Sequence, residues 1–351
     1  MIRVALDARW MQQTPRGGVG RALANLLPLL AEEVELHLLT DSAGPALATG
    51  LPEHRLPTPW PRRAAAWLQW SAPRFLASFD DGIFHCPWYG LPYRHPVPMV
   101  VTLHDLTFEH RPEWFPSASQ RQVFRRQARH AARTAAAILT PSEHVRQDIV
   151  ETYRVAPERV LVAPQGADPA FAPGLDPGPV LERLGVTAPY VVALGGAERR
   201  NLGLAVAAWT LVPGAGPLVV VGPESPPERP GVFAAGPLGD GDWAALLSGA
   251  TALLYPTAYE GFGMPALEAL AAGTPVVCAR VGSLPEVLGD CASWAASLAA
   301  EDLAGALDRL LTDEVGRERL RNEGLQRARA APGWAMSARV HVEAYRRAAR
   351  H

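Results

Sequence analysis

The chain has 351 residues, of which 48% are hydrophobic, and a formal net charge of −2 at pH 7. A chain of this length is expected to form about two domains, each with its own core. The apolar content and the small net charge exclude an intrinsically disordered chain and argue against a nucleic-acid-binding protein.

Neither the cysteines nor the apolar segments indicate a metal site or a membrane span. Cys86, Cys278 and Cys291 are scattered and odd in number, which suits a reducing cytoplasm and offers no metal-binding quartet. No apolar run approaches the ~20 residues that a membrane span requires. The sequence begins with the pattern of a strand, so we expect no signal peptide and a cytoplasmic location.

The chain contains no lysine, so all of its 33 basic Lys or Arg residues are arginines. Pyridoxal-phosphate chemistry needs a lysine for its Schiff base, and a P-loop needs a lysine on the phosphates. Both are therefore excluded. Any cationic side chain that binds a phosphate here must be an arginine, which is permanently charged and can bind bidentately.

The first predicted strand covers residues 2–6, and a glycine-rich loop and a helix follow it. The loop contains Gly17, Gly18 and Arg21, and the helix carries leucines at the spacing of one face. A dinucleotide-binding loop is rejected because its glycines begin at the end of the strand, whereas about ten residues intervene here. The loop is either a ligand-binding turn or a plain flexible turn.

Two segments rich in arginine leave two interpretations open. Residues 60–76 mix aromatic and arginine side chains, and residues 117–134 form a helix with five arginines. We favour an ordinary helix with a solvated face for each of them. The alternatives are an interfacial membrane helix for the first and a patch for an anionic lipid or acceptor for the second.

Histidines lie at the ends of two predicted strands in the first half. Residues 83–86 form a short strand that contains His85, and His104 and Asp105 follow a strand at residues 97–103. Ligands of open α/β sheets bind beyond the carboxyl ends of the strands. His104 is therefore a candidate functional residue, whereas a structural and a functional role are equally open for His85.

The α/β pattern starts again after a segment rich in proline and glycine at residues 169–179, which we interpret as the linker between domains. A strand at residues 190–194 precedes Arg199 and Arg200, which lead into a helix. A strand at residues 232–235 leads into a turn that contains Leu238.

The most informative segment lies at residues 255–278. A buried strand is predicted at residues 251–255, and Pro256 stops it. A helix follows that has Pro265 in its first turn and Gly273 at its end. Glu260 precedes the helix and Glu268 lies within it, with seven residues between them.

The start of this helix is a predicted anion site. Gly261 and Gly263 leave backbone N–H groups open to a ligand, and the helix dipole favours negative charge. Two carboxylates beside an anion suit a ligand that also carries hydroxyls. A nucleotide sugar meets both requirements, because its diphosphate can bind the helix end and its sugar and ribose hydroxyls can bind the carboxylates.

The string from Tyr259 to Ala269 resembles the signature of the family 4 glycosyltransferases, Tyr-Glu-Gly-Phe-Gly-x-Pro-x-Leu-Glu-Ala. The glycine-rich loop, His104-Asp105-Leu106 and Arg199-Arg200-Asn201-Leu202 are similar to further motifs of that family, with Arg200 at a lysine position. The resemblance implies an α/β protein of GT-B fold, with two Rossmann-like doubly wound parallel-sheet domains facing across a cleft. The expected divisions are an acceptor-binding domain at residues 1–172, a nucleotide-sugar-binding domain at 173–332, and a helix at 333–351 that packs back on the first domain.

The resemblance also implies roles for individual residues. Glu260, His104 and Arg200 are the expected catalytic residues. Glu268 is expected to bind the ribose hydroxyls, Glu260 the transferred sugar, and the arginine pair the diphosphate. The complete set of residues expected to bind the donor is Gly17, Gly18, Arg199, Arg200, Leu238, Glu260, Gly261, Phe262, Gly263, Met264 and Glu268. No metal and no cofactor is expected, because arginine charge takes the place of a metal ion.

The implied activity is retaining transfer of a hexose from a GDP- or UDP-linked sugar to a hydroxyl of a glycan or lipid-linked acceptor. Mannose is favoured, and glucose or a similar hexose remains open. The alternatives are a GT-B nucleotide-sugar epimerase and a non-catalytic nucleotide-sugar-binding homologue. The expected partners are the nucleotide sugar and the acceptor, and peripheral contact with the inner face of the membrane is left open.

Overall fold

The computed structural model describes residues 1–13, 17–59 and 66–350, and the chain divides into two compact units. Unit 1 comprises Met1–Gln165 and Pro332–His351, and unit 2 comprises Gly166–Ala331. The first boundary lies close to the one at residue 172 considered above. Phe171 is buried within the core of unit 2, which explains why the segment from Gly166 belongs to that unit.

The described part of unit 1 contains a parallel sheet with the strand order β3-β2-β1-β4-β5-β6-β7. The order reverses between β1 and β4, which is the doubly wound arrangement, and the central strands β4, β5 and β6 are buried throughout, as expected for a sheet covered on both faces. The strands are β1 (Arg3–Asp7), β2 (Glu35–Asp41), β3 (Glu53–Leu56), β4 (Gly82–Cys86), β5 (Met99–Thr102), β6 (Ala137–Thr140) and β7 (Val160–Val162).

The helices of unit 1 begin and end at residues whose chemistry suits those positions. Ser117 and Ser142 are N-caps whose hydroxyls accept hydrogen bonds from Gln120 and Val145. The described helices of the first segment are α1 (Gly18–Ala31), α2 (Ala72–Leu76), α3 (Thr107–His110), α4 (Ala118–Thr134) and α5 (Glu143–Tyr153), with short turns of other helix types at Arg9–Gln12, Trp67–Ser71, Pro112–Trp114 and Pro157–Arg159.

Unit 2 repeats the architecture with the strand order β10-β9-β8-β11-β12-β13, again parallel and reversing beside its first strand. The strands are β8 (Val191–Leu194), β9 (Leu218–Val221), β10 (Val232–Gly236), β11 (Ala252–Leu254), β12 (Val276–Ala279) and β13 (Ala292–Ala295). The helices are α6 (Gly178–Leu184), α7 (Leu202–Thr210), α8 (Asp240–Gly249), α9 (Met264–Ala272), α10 (Leu284–Leu288), α11 (Ala300–Thr312) and α12 (Glu314–Ala330), with a 3-10 turn at Glu198–Arg200.

The last helix, α13 (Gly333–Ala348), belongs to unit 1 and packs against α1 and against β5, β6 and β7. Its inward face carries Trp334, His341 and Tyr345, all of which are buried. The apolar contact anchors the end of the chain to the first unit.

The two arginine-rich segments differ in what the structure describes. Residues 60–65 lie outside the described part, so the interpretation of Trp60, Arg62 and Arg63 stays a prediction. Trp67 is fully buried and Trp70 is 57% exposed. Among the described residues, none of the helices combines the length and hydropathy that a membrane crossing requires.

Helix α4 uses part of its arginine content for packing within unit 1. Arg125 and Arg129 pair with the buried carboxylate of Glu109 at 2.5 and 3.5 Å, and Arg121 donates to the Phe108 carbonyl at 2.7 Å. These three arginines therefore hold α3 against α4, which is a structural role that the sequence pattern did not predict.

Candidate functional site

Two segments meet at the carboxyl edge of the sheet in unit 2, at the point where the strand order reverses. The 3-10 turn Glu198–Arg200 follows β8, and a loop at residues 255–263 follows β11. β8 and β11 are adjacent, with Ala193 paired to Leu254. Open α/β sheets bind their ligands at such a switch point. The fold thus places the arginine pair beside the glutamate-containing loop.

Backbone contacts join the turn to the loop. The Arg199 carbonyl accepts hydrogen bonds from the Ala258 amide at 2.7 Å and from the Thr257 hydroxyl at 3.2 Å. Asn201 has a left-handed backbone, with φ of 50°, and its side-chain amide donates to the Pro256 carbonyl at 2.9 Å. Asparagine tolerates this conformation better than most residues. Asn201 therefore fixes both the end of the turn and its distance from the loop.

The Glu260 carboxylate is 6% exposed and lies among groups that favour its negative charge. The Tyr255 hydroxyl donates to Oε1, the Thr257 hydroxyl lies 3.4 Å from the same oxygen, and Arg199 Nε lies 3.6 Å from it. Burial and the charge of Glu260 raise the pKa of Tyr255 far above its ordinary value, so the phenol stays protonated and keeps donating.

The backbone of Glu260 is held from the side of β12. Its carbonyl accepts hydrogen bonds from both the amide and the hydroxyl of Ser283 at 3.0 Å. Gly282 has a φ of 53°, and any side chain there would collide with the Glu260 carbonyl. Glu260 is therefore fixed at both its backbone and its carboxylate, as a residue that must orient a substrate should be.

Arg200 lies next to this group and is only partly engaged. Its Nη1 donates to the Gly195 carbonyl at 2.7 Å, and its buried Nε has no hydrogen-bond partner within the described residues. A buried donor without a partner is unusual in a folded protein and calls for an explanation. The guanidinium is anchored at one nitrogen, which leaves its remaining N–H groups available for an anion.

Helix α9 begins beside Glu260, at Met264. Gly263 is its N-cap, with a φ of 94°, and a side chain at this position would lie 2.6 Å from Leu284. Glycine is required here for both reasons. Gly261, Phe262, Gly263 and Met264 thus form the segment that joins Glu260 to the start of the helix, where the helix dipole favours a negative charge.

The other two residues assigned to the donor occupy different surroundings. Glu268 is fully buried in α9, and its Oε2 accepts a hydrogen bond from the Trp243 indole at 2.8 Å. Leu238 lies between β10 and α8 and is partly buried against the core of unit 2. The roles of Glu268 at the ribose and of Leu238 at the base stay predictions.

In unit 1, His104 follows β5 at the carboxyl edge of the sheet. Its Nε2 lies 3.0 Å from the Pro87 carbonyl, which can only accept, so this nitrogen carries a proton. Burial lowers the pKa of His104, which favours the neutral ring. Neutral His104 therefore has a free lone pair on Nδ1. Asp105 instead accepts hydrogen bonds from the amide and hydroxyl of Thr107, at the start of α3.

His104 borders a cavity of about 30 Å³ that α13 closes. His85 is fully buried there, between the Tyr345 hydroxyl at 2.8 Å from Nδ1 and the Thr102 hydroxyl at 2.9 Å from Nε2. His341 lies on the same cavity, with its ring centroid 5.5 Å from that of His85. The remaining lining includes Val19, Ala22, Leu23, Leu26, Pro87, Pro141, Ala163, Gln165, Trp334 and Ser337. His341 and Tyr345 were not predicted from the sequence, because contacts from the last helix leave no local signal.

The stability of unit 1 is expected to fall in acid because His341 must be neutral when folded. Burial lowers the pKa of His341 to about 4, from about 6.5 in an unfolded chain. Below pH 6.5 the unfolded chain therefore binds a proton that the folded one does not, and this group alone should cost about 2 kcal/mol between pH 7 and pH 5. His85 and His104 face the same cavity and add to the trend.

Denaturant unfolding of wild type and His341→Gln at pH 7, 6 and 5 measures this effect. The variant should lose less stability than wild type across that range, whereas His95→Gln, outside the cavity, should follow wild type. Equal pH dependence of wild type and His341→Gln would contradict the assignment.

The other predicted residues of unit 1, Gly17 and Gly18, form the start of α1. Gly17 is the N-cap with a φ of −71°, and a side chain at Gly18 would meet none of the described atoms within 4 Å. Neither backbone conformation nor packing against the described residues of the unit requires glycine at these positions. The remaining explanation for glycine at both positions is that a ligand approaches the backbone closely there.

A buried ion pair that sequence reasoning missed occupies the switch point of unit 1, after β1. Asp7 is fully buried and binds Arg9 through both oxygens at 2.8 and 2.7 Å, while Cys86 at the end of β4 lies 3.7 Å from Asp7. The guanidinium also lies 3.8 Å above the Trp67 ring. Although burial alone lowers the pKa of Arg9, its pairing with Asp7 outweighs this effect and raises it.

Two doubly wound parallel sheets, one of them with a basic turn and a buried carboxylate at its switch point, place the chain among the doubly wound α/β proteins. The comparisons with known proteins are specific about that class. Residues 16–171 match the model of Glycosyltransferase Family 4, and residues 229–327 match that of Glycosyl transferases group 1. The chain belongs to the family 4 glycosyltransferases.

The curated relatives include two mannosyltransferases. The chain is 28% identical over 274 residues to O-antigen chain mannosyltransferase B of Escherichia coli, a match that covers 72% of this chain and 71% of the relative. It is 32% identical over 272 residues to the MMP alpha-(1->4)-mannosyltransferase of Mycolicibacterium hassiacum, covering 72% of this chain and 66% of the relative. The aligned segments thus span about two thirds of the length of these relatives.

The solved structures that resemble the chain establish its fold. Sucrose-phosphate synthase from Thermosynechococcus elongatus aligns with a TM-score of 0.78 and 18% identity over 99% of this chain and 98% of that one. HepE of Anabaena, solved in complex with UDP-glucose, aligns with a TM-score of 0.75 and 16% identity over 98% of both chains. The GT-B fold class predicted from the sequence is confirmed.

Proposed function

We propose that the protein is a retaining glycosyltransferase that moves a hexose, mannose in preference to glucose, from a nucleotide diphosphate sugar to a hydroxyl of a glycan or lipid-linked acceptor. The observation that carries the proposal is the contact between Arg199 and Glu260 at the switch point of unit 2. A cation for the diphosphate and a carboxylate for sugar hydroxyls meet there within 3.6 Å.

Arg199, Arg200 and the start of α9 are proposed to hold the diphosphate. Arg200 is fixed at Nη1 and has unused N–H groups, so it can donate to phosphate oxygens without first reorganising. Charge that grows on the leaving diphosphate would be stabilised by these groups, an effect worth several kcal/mol for preorganised donors. We therefore propose that the reaction needs neither a metal nor a resident cofactor.

Glu260 is proposed to hold the transferred hexose through its hydroxyls, together with the backbone N–H groups at residues 262–264. Glu268 is proposed to bind the ribose hydroxyls through the carboxylate that Trp243 orients. Gly17 and Gly18, where neither backbone conformation nor packing among the described residues requires glycine, are proposed to bind the donor. His104, neutral and with a lone pair on Nδ1, is proposed to hydrogen bond to substrate hydroxyls.

The proposed reaction forms a bond between the acceptor oxygen and the anomeric carbon while the bond from that carbon to the diphosphate oxygen breaks. The acceptor attacks from the face that the diphosphate leaves, so the anomeric configuration is kept. The acceptor proton passes to the departing phosphate. This route needs neither a protein base nor a covalent protein nucleophile. It therefore suits a site where one oxygen of Glu260 already has three neighbouring donors.

The mannose preference rests on the curated relatives that are mannosyltransferases, among them the two described above. Glucose stays the alternative, since HepE was solved with UDP-glucose. The nucleotide is open between GDP and UDP, because the family resemblance implies that the Leu238 turn lines the base mostly through its backbone.

A thermal-unfolding screen against GDP-mannose, UDP-glucose and the free nucleotides tests the donor. A donor at about 100 times its Kd should stabilise the protein by about 2.7 kcal/mol. GDP-mannose is expected to give the largest shift. A larger shift with UDP-glucose would replace mannose with glucose, and no shift with any nucleotide sugar would refute the proposed function.

Incubation with the stabilising donor alone, followed by NMR of the sugar, distinguishes a transferase from an epimerase. The sugar should be unchanged until an acceptor is added, and the new glycosidic bond should keep the anomeric configuration of the donor. An altered sugar without acceptor would favour the epimerase.

A further inference from the structure

Unit 2 has a hollow at the carboxyl ends of β12 and β13, separate from the cavity of unit 1. None of the residues assigned to the donor lines it. Its volume is about 380 Å³, which is within the range of small-molecule sites. Its lining includes Arg280, Trp294, Glu301, Asp302, Gly305 and Arg309. β13 is the edge strand of the described sheet, so the hollow is open on its outer side.

Two guanidinium groups of the hollow are positioned but weakly paired. The Arg280 guanidinium stacks 4.4 Å from the centroid of the Trp294 ring, an arrangement that orients its N–H edge. Its ion pair with Asp290 is long, at 3.8 Å, and exposed, so it contributes little. Arg309 makes a 3.4 Å hydrogen bond to the Trp294 carbonyl and no ion pair with any described residue.

The lining also includes two carboxylates at the start of α11, the helix that carries Arg309 near its end. Asp302 accepts a hydrogen bond from the Ser297 hydroxyl at 2.6 Å, and Glu301 is exposed and forms no ion pair with a described residue. The buried indole N–H of Trp294 likewise has no hydrogen-bond partner in the described part of the chain. Donors and acceptors of opposite charge thus face one hollow without neutralising each other.

We propose that this hollow binds a sugar phosphate, with the phosphate on Arg280 and Arg309 and the sugar hydroxyls on Glu301 and Asp302. A simple anion would use the arginines but would be repelled by the carboxylates, and a neutral sugar would leave both guanidinium charges unused. A ligand with a phosphate at one end and hydroxyls at the other can bind the guanidinium groups and the carboxylates at once. Arginine is the side chain best suited to bidentate phosphate binding.

The hollow is connected to the donor-binding residues by a short segment of chain. Two residues after Arg280 comes Gly282, where a side chain would collide with the Glu260 carbonyl, and then Ser283, which donates two hydrogen bonds to that carbonyl. A ligand that displaces Arg280 would therefore shift the backbone that fixes Glu260. We expect an occupied hollow to change donor affinity, and by linkage a bound donor to change sugar-phosphate affinity by the same factor.

Isothermal titration of the full chain with mannose 6-phosphate tests the site, and only the choice of a mannose-based probe rests on the proposed function. Wild type should bind it saturably, and mannose and inorganic phosphate at least about tenfold more weakly, since each keeps only part of the contacts. Arg309→Gln and Glu301→Gln should each weaken binding by about tenfold or more. Arg319→Gln, an exposed arginine of α12, is the matched control and should bind as wild type does.

Two further measurements ask whether the natural ligand is a free sugar phosphate or a glycan end, and whether the probe binds in this hollow or in the donor site. The methyl glycoside of mannose 6-phosphate, with its anomeric carbon blocked as in a chain, should bind equally if the natural ligand is a glycan end, and weakly if it is a free sugar phosphate. Arg200→Ala should retain binding of the probe, and Arg309→Gln should retain binding of the nucleotide sugar. The proposed function can therefore fail while this site stands.

Three results would overturn the proposal. These are no saturable binding of mannose 6-phosphate by wild type, equal binding of inorganic phosphate, and a loss of probe binding in Arg200→Ala without any loss in Arg309→Gln. The last of these would mean that the probe occupies the donor site.

Discussion

Replacement of Glu260 by glutamine is expected to lower kcat for glycosyl transfer by at least about 10²-fold while the nucleotide sugar still binds. The substitution keeps the shape of the side chain and removes its negative charge. That charge lies among Tyr255, Thr257 and Arg199, and it is the group proposed to hold the hexose as positive character develops at the anomeric carbon. The diphosphate contacts are left in place, so donor affinity should change little.

The measurements are kcat with saturating acceptor and, separately, the Kd of the donor by titration. Glu182→Gln, at an exposed position of α6, is the matched control and should behave as wild type. Since Tyr255 can still donate to the amide oxygen, the variant should fold, and its unfolding midpoint should be recorded beside its activity. Turnover within about tenfold of wild type would remove Glu260 from the catalytic site.

The sequence predicted the architecture well because buried parallel strands carry a strong apolar signal. β4, β5, β8 and β11 were all expected within a residue or two of their observed bounds. β3 and β13 were not predicted. Both are edge strands, and β3 contains Glu53, His54 and Arg55, whose charges hide the pattern of a strand. Helix α6 was not predicted either, because it begins at Gly178, at the end of the segment whose prolines and glycines suggested a linker.

The residues of the candidate site were predictable to the extent that they lie in one contiguous motif. Arg199 and Glu260 are far apart in sequence, and their contact follows only from the adjacency of β8 and β11, which a doubly wound order predicts. Tyr255 and Trp243 were missed as partners of the two glutamates, although Tyr255 directly follows β11, the strand that precedes Glu260. The hydrogen bond between His85 and Tyr345, 260 residues apart, had no sequence signal at all.

The absence of lysine gives the arginine pair a particular meaning. Arg200 stands where the resembling family motif has lysine, and guanidinium and ammonium groups differ in geometry and hydration. In this chain Arg200 Nη1 donates a hydrogen bond to the Gly195 carbonyl, and the ammonium of a shorter lysine side chain would reach that carbonyl with a different geometry. A lysine at this position would therefore change the hydrogen bonding of the turn.

Replacement of Arg200 by alanine is accordingly expected to lower kcat/KM for transfer by about 10²–10³-fold. The variant loses the charge that is proposed to stabilise the leaving diphosphate and the anchor to Gly195, while Arg199 remains in contact with Glu260. Arg200→Lys should recover only part of this loss, since it restores the charge without the fork of donors. The measurement is steady-state transfer, with Kd for the free nucleoside diphosphate determined in parallel.

The control is Arg183→Ala, which removes an exposed ion pair with Asp242 elsewhere in unit 2 and should leave transfer unchanged. If Arg200 acts mainly on the leaving group, the loss should be larger in kcat than in donor affinity, because the charge it stabilises is greatest in the transition state. A loss confined to donor affinity would make Arg200 a binding residue only. Transfer within tenfold of wild type in Arg200→Ala would show that the diphosphate is stabilised by other groups, and the proposed division of roles between Glu260 and the arginine pair would then be wrong.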